Sequence, residues 1–395
     1  MKNNCFSLIQ LPLLIVAVLV TANSVQAQNE INIEQQINVL GQTKPIPVSI
    51  SGFGSEATEI LKFDLYVQGF TFVGPDAAQY QISGSSSGNV VGRVAVRSGG
   101  NILSRSYTGS SLREQVHAFS DDVVQAITGK KGIAQTRIAF KVESTSGNGK
   151  IYIADFDGYN AESVTPDNTI VAAPTWAPGR GVLYYTTYKL GNPDIFYHNL
   201  STGERRVIAG YSGLNTSAAV SPDGSKLAMI LSKSGSPEVW VANSDGKGLK
   251  QLTTIPEGAA SPCWSPDGRW ICFSTEMHGR RMLAKIPSDG GEVERISTIG
   301  ISNPSEPDWS PDGKWIAFTS QMGEFDICVV PANGGNATIL VRGEEPSWSS
   351  NSRTLIFVRH TAGYRYVLSL LDVYTKQVKD TRQIPGNDSE PAWAK

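Results

Sequence analysis

The sequence predicts an α/β N-terminal domain followed by an all-β, six-bladed β-propeller, and three observations carry that reading. A Trp-centred motif returns through the last two thirds of the chain, each interval between copies divides into four short strands, and the region before it has helix signals but no repeat. The copies are Ala173-Pro174-Thr175-Trp176-Ala177-Pro178-Gly179, Ala219-Val220-Ser221-Pro222-Asp223-Gly224, Ser261-Pro262-Cys263-Trp264-Ser265-Pro266-Asp267-Gly268, Glu306-Pro307-Asp308-Trp309-Ser310-Pro311-Asp312-Gly313, Glu345-Pro346-Ser347-Trp348-Ser349-Ser350-Asn351-Ser352 and Glu390-Pro391-Ala392-Trp393. Their anchor positions, from Trp176 to Trp393, lie 44, 44, 45, 39 and 45 residues apart. A period of about 40–45 residues with four strands per unit is the spacing of propeller blades.

Taken in order, residues 1–27 read as a secretory signal peptide. Lys2 precedes an apolar run from Leu11 to Val20 and a small-residue end, Ser24-Val25-Gln26-Ala27, so cleavage is expected after Ala27. The run is shorter than the about 20 apolar residues of a spanning helix. Cys5 stands before it, a poor place for lipid attachment. The mature chain is therefore expected to be exported, soluble and not inserted in a membrane.

Residues 28–133 are the expected α/β domain. Residues 28–44, polar apart from Ile31, Ile33, Ile37, Val39 and Leu40, read as a mobile arm. Pro47 to Ile50 is a strand leading into a helix over Ser55 to Gln68. Val90–Val96 and Ile102–Tyr107 form a hairpin around Ser98-Gly99-Gly100-Asn101. A second helix starts at Ser111, with Glu114 three residues on as a capping box and Gly129 at its end. Its apolar residues Leu112, Val116, Phe119, Val123 and Ile127 keep a 3.6-residue period.

Residues 134–395 are the expected propeller. In the copy at Trp309, Glu306–Trp309 is an inner strand, Ser310-Pro311-Asp312-Gly313 a turn, and Trp315–Phe318, Asp326–Val330 and Ala337–Val341 the remaining strands. Proline presets φ in such a turn, and aspartate and glycine suit the following positions. The tryptophan packs between neighbouring blades. Five blades start at Trp176, Val220, Trp264, Trp309 and Trp348. The sixth is split: Arg137–Val142, Ile151–Ala154 and Glu162–Thr165 supply three strands, and Ser389–Trp393 supplies the missing inner one. Closing the circle by pairing N- and C-terminal strands in one blade leaves no open edge.

Composition narrows the function. A formal net charge of −2 with 18% charged residues excludes an electrostatic nucleic-acid binder. Three cysteines follow the signal segment, Cys263, Cys272 and Cys328, so at least one thiol is free. Cys263 and Cys272 are placed one position out of direct pairing, and half-buried free thiols are the expectation. Gly84-Ser85-Ser86-Ser87-Gly88 has the letters of a nucleophile elbow but leads into a strand rather than a helix. Gly52-Phe53-Gly54 lacks the third glycine of a phosphate loop. Asp155-Phe156-Asp157-Gly158 begins like a calcium loop, but Pro166 stands where the closing glutamate belongs, so it reads as a hairpin turn between outer strands. His117, His198, His278 and His360 fall on four different elements, so no metal site or cofactor is expected.

If each inner strand descends, the Ser-Pro-Asp-Gly turns share a lower face, and the loops into the inner strands share an upper face with the hairpins joining second to third strands. That upper ring contains Asn215, Thr216, Ser261, Glu306, Glu345 and Glu390, with His278 and His360 from the hairpins. Three converging glutamates are costly unless solvated or paired. They form either an acidic recognition ring or caps for their own loops, and Ser261 stands where a fourth glutamate would complete the ring.

The order of segments resembles the TolB family, the periplasmic components of the Tol–Pal system. The resemblance covers the whole mature chain. It is most specific at Ser120-Asp121-Asp122-Val123-Val124-Gln125-Ala126-Ile127-Thr128-Gly129, running into Thr136-Arg137-Ile138-Ala139-Phe140, and at Asp155-Phe156-Asp157-Gly158-Tyr159-Asn160. It implies a non-enzymatic adaptor, expected as a monomer. The peptidoglycan-associated lipoprotein Pal would bind the face where residues enter the inner strands. The N-terminal arm would meet TolA, and Glu30, Ile31 and Ile33 lie in an alternating segment suited to strand addition. The alternative from the residues alone is an exported propeller enzyme or ligand-binding protein using the channel.

Overall fold

The recurrent motif builds six four-stranded antiparallel sheets arranged as blades. The computed structural model describes residues 39–144, 147–179, 181–361 and 365–395, and the signal segment and the arm residues Glu30, Ile31 and Ile33 lie outside them. The inner strands, from blade I to blade V, are Val171–Trp176, Asn215–Val220, Ala259–Trp264, Pro304–Trp309 and Glu344–Trp348. Blade VI is the split one. Asn387–Trp393 pairs antiparallel with Arg137–Glu143, which continues to Gly149–Asp155 and Glu162–Ser163.

Each Ser-Pro-Asp-Gly turn is stitched by its own side chains. Asp223 accepts from Ser221 Oγ at 2.5 Å and from Ser225 N at 3.1 Å, while Ser221 Oγ accepts from Lys226 N at 2.9 Å. The same pattern recurs at Ser265/Asp267 and Ser310/Asp312, and at Ser349/Asn351 the asparagine takes the strand amide, Thr354 N, in place of the serine. The blades are tied by the anchor tryptophans. Trp176, Trp264 and Trp348 donate their indole N–H to the carbonyl before the preceding blade's anchor, at Ala392, Ala219 and Asp308. Two depart from this: Trp309 turns to Gly313 O, and Trp393 bonds Thr136 Oγ1 at 2.8 Å.

The N-terminal α/β region is one five-stranded sheet with two helices. Strands β1 (Ile46–Ser51), β2 (Phe70–Phe72), β3 (Tyr80–Ser85), β4 (Val90–Val96) and β5 (Asn101–Tyr107) are ordered β2-β1-β3-β4-β5, with β1 parallel to both neighbours. Helices α1 (Ser55–Tyr66) and α2 (Leu112–Thr128) bury Ile60, Leu61, Leu65, Val116, Phe119 and Val123 in one core with Val48, Ile82 and Val94. Ser111 caps α2 by accepting from Glu114 N, and Gly129 closes it at φ 70°. Glu114 itself reaches Ser110 rather than the N-cap amide, so only half of the expected capping box forms.

Two expectations are corrected. Residues 39–44 are not a free arm: Gly41 N and Thr43 N donate to Val373 O and Tyr374 O of blade V, and Leu40 packs on that blade's core. Cys263 and Cys272 stand directly opposite one another, because Ser265 N bonds Trp270 O and closes a four-residue loop. Both are free, as is Cys328, and all three are buried rather than half-buried.

The α/β region docks on the lower face. Thr354 Oγ1 donates to Val67 O at 3.1 Å and Gln377 Nε2 to Phe70 O at 2.9 Å, both from blade V. Arg113 of α2 pairs with Asp157 in the blade VI hairpin between Gly149–Asp155 and Glu162–Ser163. These contacts all come from the side of the Ser-Pro-Asp-Gly turns.

Candidate partner-binding face

A β-bulge interrupts every inner strand near its upper end, and its first residue is left-handed. These residues are Ala173, Ser217, Ser261, Glu306, Glu345 and Glu390, with φ between 47° and 56°. In each blade two inner-strand residues oppose one partner. The second is proline in five blades: Pro174, Pro262, Pro307, Pro346 and Pro391. Proline has no N–H to lose at an unpaired position. The opposing residues are Tyr185, Met229, Phe273, Phe318, Phe357 and Phe140, all buried. Burying those large side chains holds the left-handed backbone, uncommon outside glycine, in place six times.

In blades IV, V and VI the bulge turns the first side chain, a glutamate, toward the next blade. Glu306 Oε2 accepts from Thr319 Oγ1 at 2.7 Å and from Glu345 N at 3.2 Å. Glu345 Oε2 accepts from Glu390 N, and Glu390 Oε2 from Ala173 N. Glu390 Oε1 also takes Lys141 Nζ at 2.9 Å. Each glutamate thus braces the following blade rather than capping its own loop. The ring is one-sided: blades IV, V and VI supply acids, while blades I, II and III supply Ala173, Ser217 and Ser261.

Burial and neighbouring charge set the protonation of this half-ring. Burial, then the charges of Glu306 and Glu390, pushes the Glu345 carboxyl up to about 8. Burial raises Glu306 as well, against its bond from Thr319. Burial works to lower Lys141, but the Glu390 charge and hydrogen bond outweigh it and raise it. Close by, Asp388 is 2% exposed, and burial lifts its carboxyl to about 7 against the opposing charge of Arg365. Carboxyl groups held against backbone N–H groups at a channel mouth suit bracing and recognition.

The structure brings Ser261, Glu306, Glu345 and Glu390 together in this ring. Thr216 lies beside it, bonded to Thr186 at 3.0 Å. Asn215 lies inside, fully buried, its amide spent on Tyr211, Pro193 and Gly213. His278 is exposed in a tight hairpin turn with Gly279, at φ 53° and 72°. His360 is exposed and paired with Glu344, and its ring is tilted against Tyr366 with centroids 4.5 Å apart. Sequence reasoning missed Ala173 and Ser217, which the 44-residue step back from Ser261 locates. It also missed the exposed apolar hairpin tips on this face: Tyr188 and Leu190 of blade I, Met277 of blade III, Met322 of blade IV and Tyr366 of blade V. At the opposite end of the channel, Lys395 Nζ donates to both carboxylate oxygens of Asp308, at 2.7 and 2.8 Å.

The sequence profile of the TolB β-propeller domain matches residues 124–395. The chain belongs to the TolB family. It is 27% identical over 290 residues to the Tol-Pal system protein TolB of Bordetella pertussis, covering 72% of this chain and 66% of that one. It is 32% identical over 154 residues to the Tol-Pal system protein TolB of Desulfosudis oleivorans, and 33% identical over 195 residues to the TolB homolog of Chlorobium chlorochromatii. These matches cover 38% and 48% of this chain. The chain spans 35%, 66% and 44% of the lengths of these three relatives, in the order Desulfosudis, Bordetella, Chlorobium. TolB from Acinetobacter baumannii shares the fold, with a TM-score of 0.80 at 24% identity, covering 90% of this chain and 98% of that one. A chain of a nidogen/laminin complex shares part of the fold, with a TM-score of 0.55 at 14% identity over 66% of this chain and 98% of that one. The six-bladed propeller after an α/β region is therefore the architecture of TolB. Among the described residues, no helix is long and apolar enough to cross a membrane.

Proposed function

We propose that this TolB-family chain is a non-enzymatic periplasmic adaptor of the Tol–Pal type. Residues 1–27 direct its export, Pal binds across the upper channel mouth, and the segment holding Glu30, Ile31 and Ile33 contacts TolA. In that role it serves outer-membrane integrity and constriction at cell division. The observation that carries the reading is the TolB profile over the whole propeller. It is supported by a mouth that is acidic on one side, ringed by exposed apolar hairpin tips, and faces away from the docked α/β region. Exposed apolar side chains spread around an open mouth offer the surface of a protein interaction site rather than the enclosed apolar pocket of a small substrate.

Surface plasmon resonance against Pal tests the face. Ser261→Arg places a bulky cation in the mouth at a position already left-handed, and should weaken Pal by about tenfold or more, about 1.4 kcal/mol. Asp245→Arg, in an exposed turn on the lower face, should leave Pal binding alone. The reverse pattern puts the partner on the other face. For the arm, deleting residues 28–38 should abolish TolA binding in calorimetry while leaving the melting temperature nearly unchanged. Retained TolA binding removes the arm from the reading.

A further inference from the structure

Four ionisable side chains meet where the α/β region docks on blade VI, and none of them belongs to the channel face. His117 of α2 donates or accepts through Nδ1 with Asp64 Oδ2 of α1 at 2.8 Å, and its Nε2 lies 3.8 Å from Asp157 Oδ2 of the propeller hairpin. Arg113, one turn before His117, pairs with the same Asp157 oxygen. The three acid–base side chains are 0–5% exposed and Arg113 is 17% exposed. Two polar atoms at the centre, Asp64 Oδ1 and His117 Nε2, have no hydrogen-bond partner among the described residues. Asp121 faces His117 from its own helix, but its oxygens are engaged by Ala134 N and Gln135 N. The remaining neighbours are Phe156, whose ring meets the imidazole edge-on at 5.6 Å, and Tyr159, whose ring lies under Arg113 at 3.4 Å.

The donor atoms of Asp64, His117 and Asp157 lie within 4.8 Å of one another, which is close enough for a metal ion. The guanidinium of Arg113 already occupies the Asp157 oxygen that would face the ion, and it repels a cation. A proton fits where a metal does not. With His117 charged, the two aspartates are matched by two cations. With His117 neutral, one buried carboxylate is left without a counter-charge and the Nε2 lone pair faces Asp157 Oδ2, both costly in a dry interface.

We propose that His117 is a proton-operated clamp between the α/β region and the propeller. Protonated, its two ring N–H groups hold Asp64 of α1 and Asp157 of blade VI together; when the proton leaves to solvent, the contact weakens and the docking loosens. The position of the hairpin makes this a clamp on the whole segment. Asp157 Oδ1 accepts from Tyr159 N at 3.1 Å, its carbonyl accepts from Arg382 N at 2.8 Å, and Phe156 N donates to Thr136 O in the connection from α2. Gly158 is held at φ 83°, where an added Cβ would lie 2.5 Å from Arg382 O, so the hairpin packs closely on the segment that leads from blade V into blade VI. Burial acts to lower His117, yet the charge and hydrogen bond of Asp64 and the charge of Asp157 outweigh it and raise its pKa above the ordinary 6.5. Burial also raises the carboxyls of Asp64 and Asp157, so the clamp's contribution is greatest above their range, is present up to about pH 6.5, and is lost as pH rises through the raised His117 value.

Hydrogen–deuterium exchange of the full chain between pH 6 and 9, corrected for the intrinsic dependence of amide exchange on pH, tests this. Protection of the amides of Ile133, Phe156 and Arg382 should fall about tenfold or more between pH 6.5 and 9. Protection in the blade III hairpin, residues 270–287, should stay flat. His117→Gln should remove the pH dependence. Asp157→Asn, which keeps the acceptor for Tyr159 N, should also flatten it and serves if His117→Gln does not fold. The idea is overturned by interface protection that does not change with pH in the native chain, or by the same slope in either folded variant.

Discussion

Replacing Glu345 by glutamine should make the propeller more stable at pH 8 while changing little at pH 5. In the fold this carboxyl lies between Glu306 and Glu390, and burial plus those two charges lift it to about 8 from the ordinary 4.5. A carboxyl that keeps its proton in the fold but loses it on unfolding favours the folded state most at low pH. That contribution drains away as pH climbs from 4.5 to 8. A gap of about 3.5 pH units at about 1.36 kcal/mol each sets a ceiling near 5 kcal/mol. The three acids share protons and the site is not fully dry, so an effect of about 1–3 kcal/mol is expected. Glutamine keeps an oxygen for Glu390 N and carries no charge at any pH. Urea unfolding of both proteins at pH 5, 6.5 and 8 provides the assay. The variant's advantage should grow with pH by the stated amount. Parallel stability–pH curves would refute the claim that Glu345 is buried against two other acids.

Other tests reach the rest of the fold. Deleting residues 387–395 removes the inner strand of blade VI and the buried Trp393, whose packing alone is worth about 3–5 kcal/mol. The product should aggregate or be proteolysed, and a monomer melting like the full chain would end the split-blade account. Arg353→Ala leaves Asp372, fully buried, without its guanidinium, and should cost about 3–5 kcal/mol in denaturant unfolding; a loss below about 1 kcal/mol would mean the pair is solvated. Cys263, Cys272 and Cys328 are buried, and burial pushes the Cys328 thiol up to about 12, so a thiol reagent should label none of these three in the native protein and all of them after unfolding.

What repeats in this sequence could be read, because six copies vote on one geometry. The anchor interval, the turn letters and the split closure each follow from local chemistry restated every 44 residues or so, and the structure builds them where the letters stand. The Glu-Pro pair shows where reading by repeat falls short. As letters, glutamate before proline looks like a loop leading into a strand. Only the buried Phe318, Phe357 and Phe140 opposite explain why the pair is a bulge inside the strand. They also explain why the carboxylates reach across to the next blade. That information is cross-strand and does not appear in any local window. Contacts made once are harder still. Strands β2 and β3 are short and carry no strong alternation, and β1 holds them by parallel pairing at a distance. Asp157 gives the sharpest case. Its letters, Asp-Phe-Asp-Gly, describe a hairpin turn correctly, and nothing in them says that the second aspartate meets Arg113, 44 residues earlier, and His117, 40 residues earlier. A polar residue in a turn is ordinarily left to water, so its burial could be inferred only from the partner that buries it. The same gap separates the two parts of the functional reading: the channel face emerges from the repeat, whereas the docking of the α/β region rests on side chains that occur once.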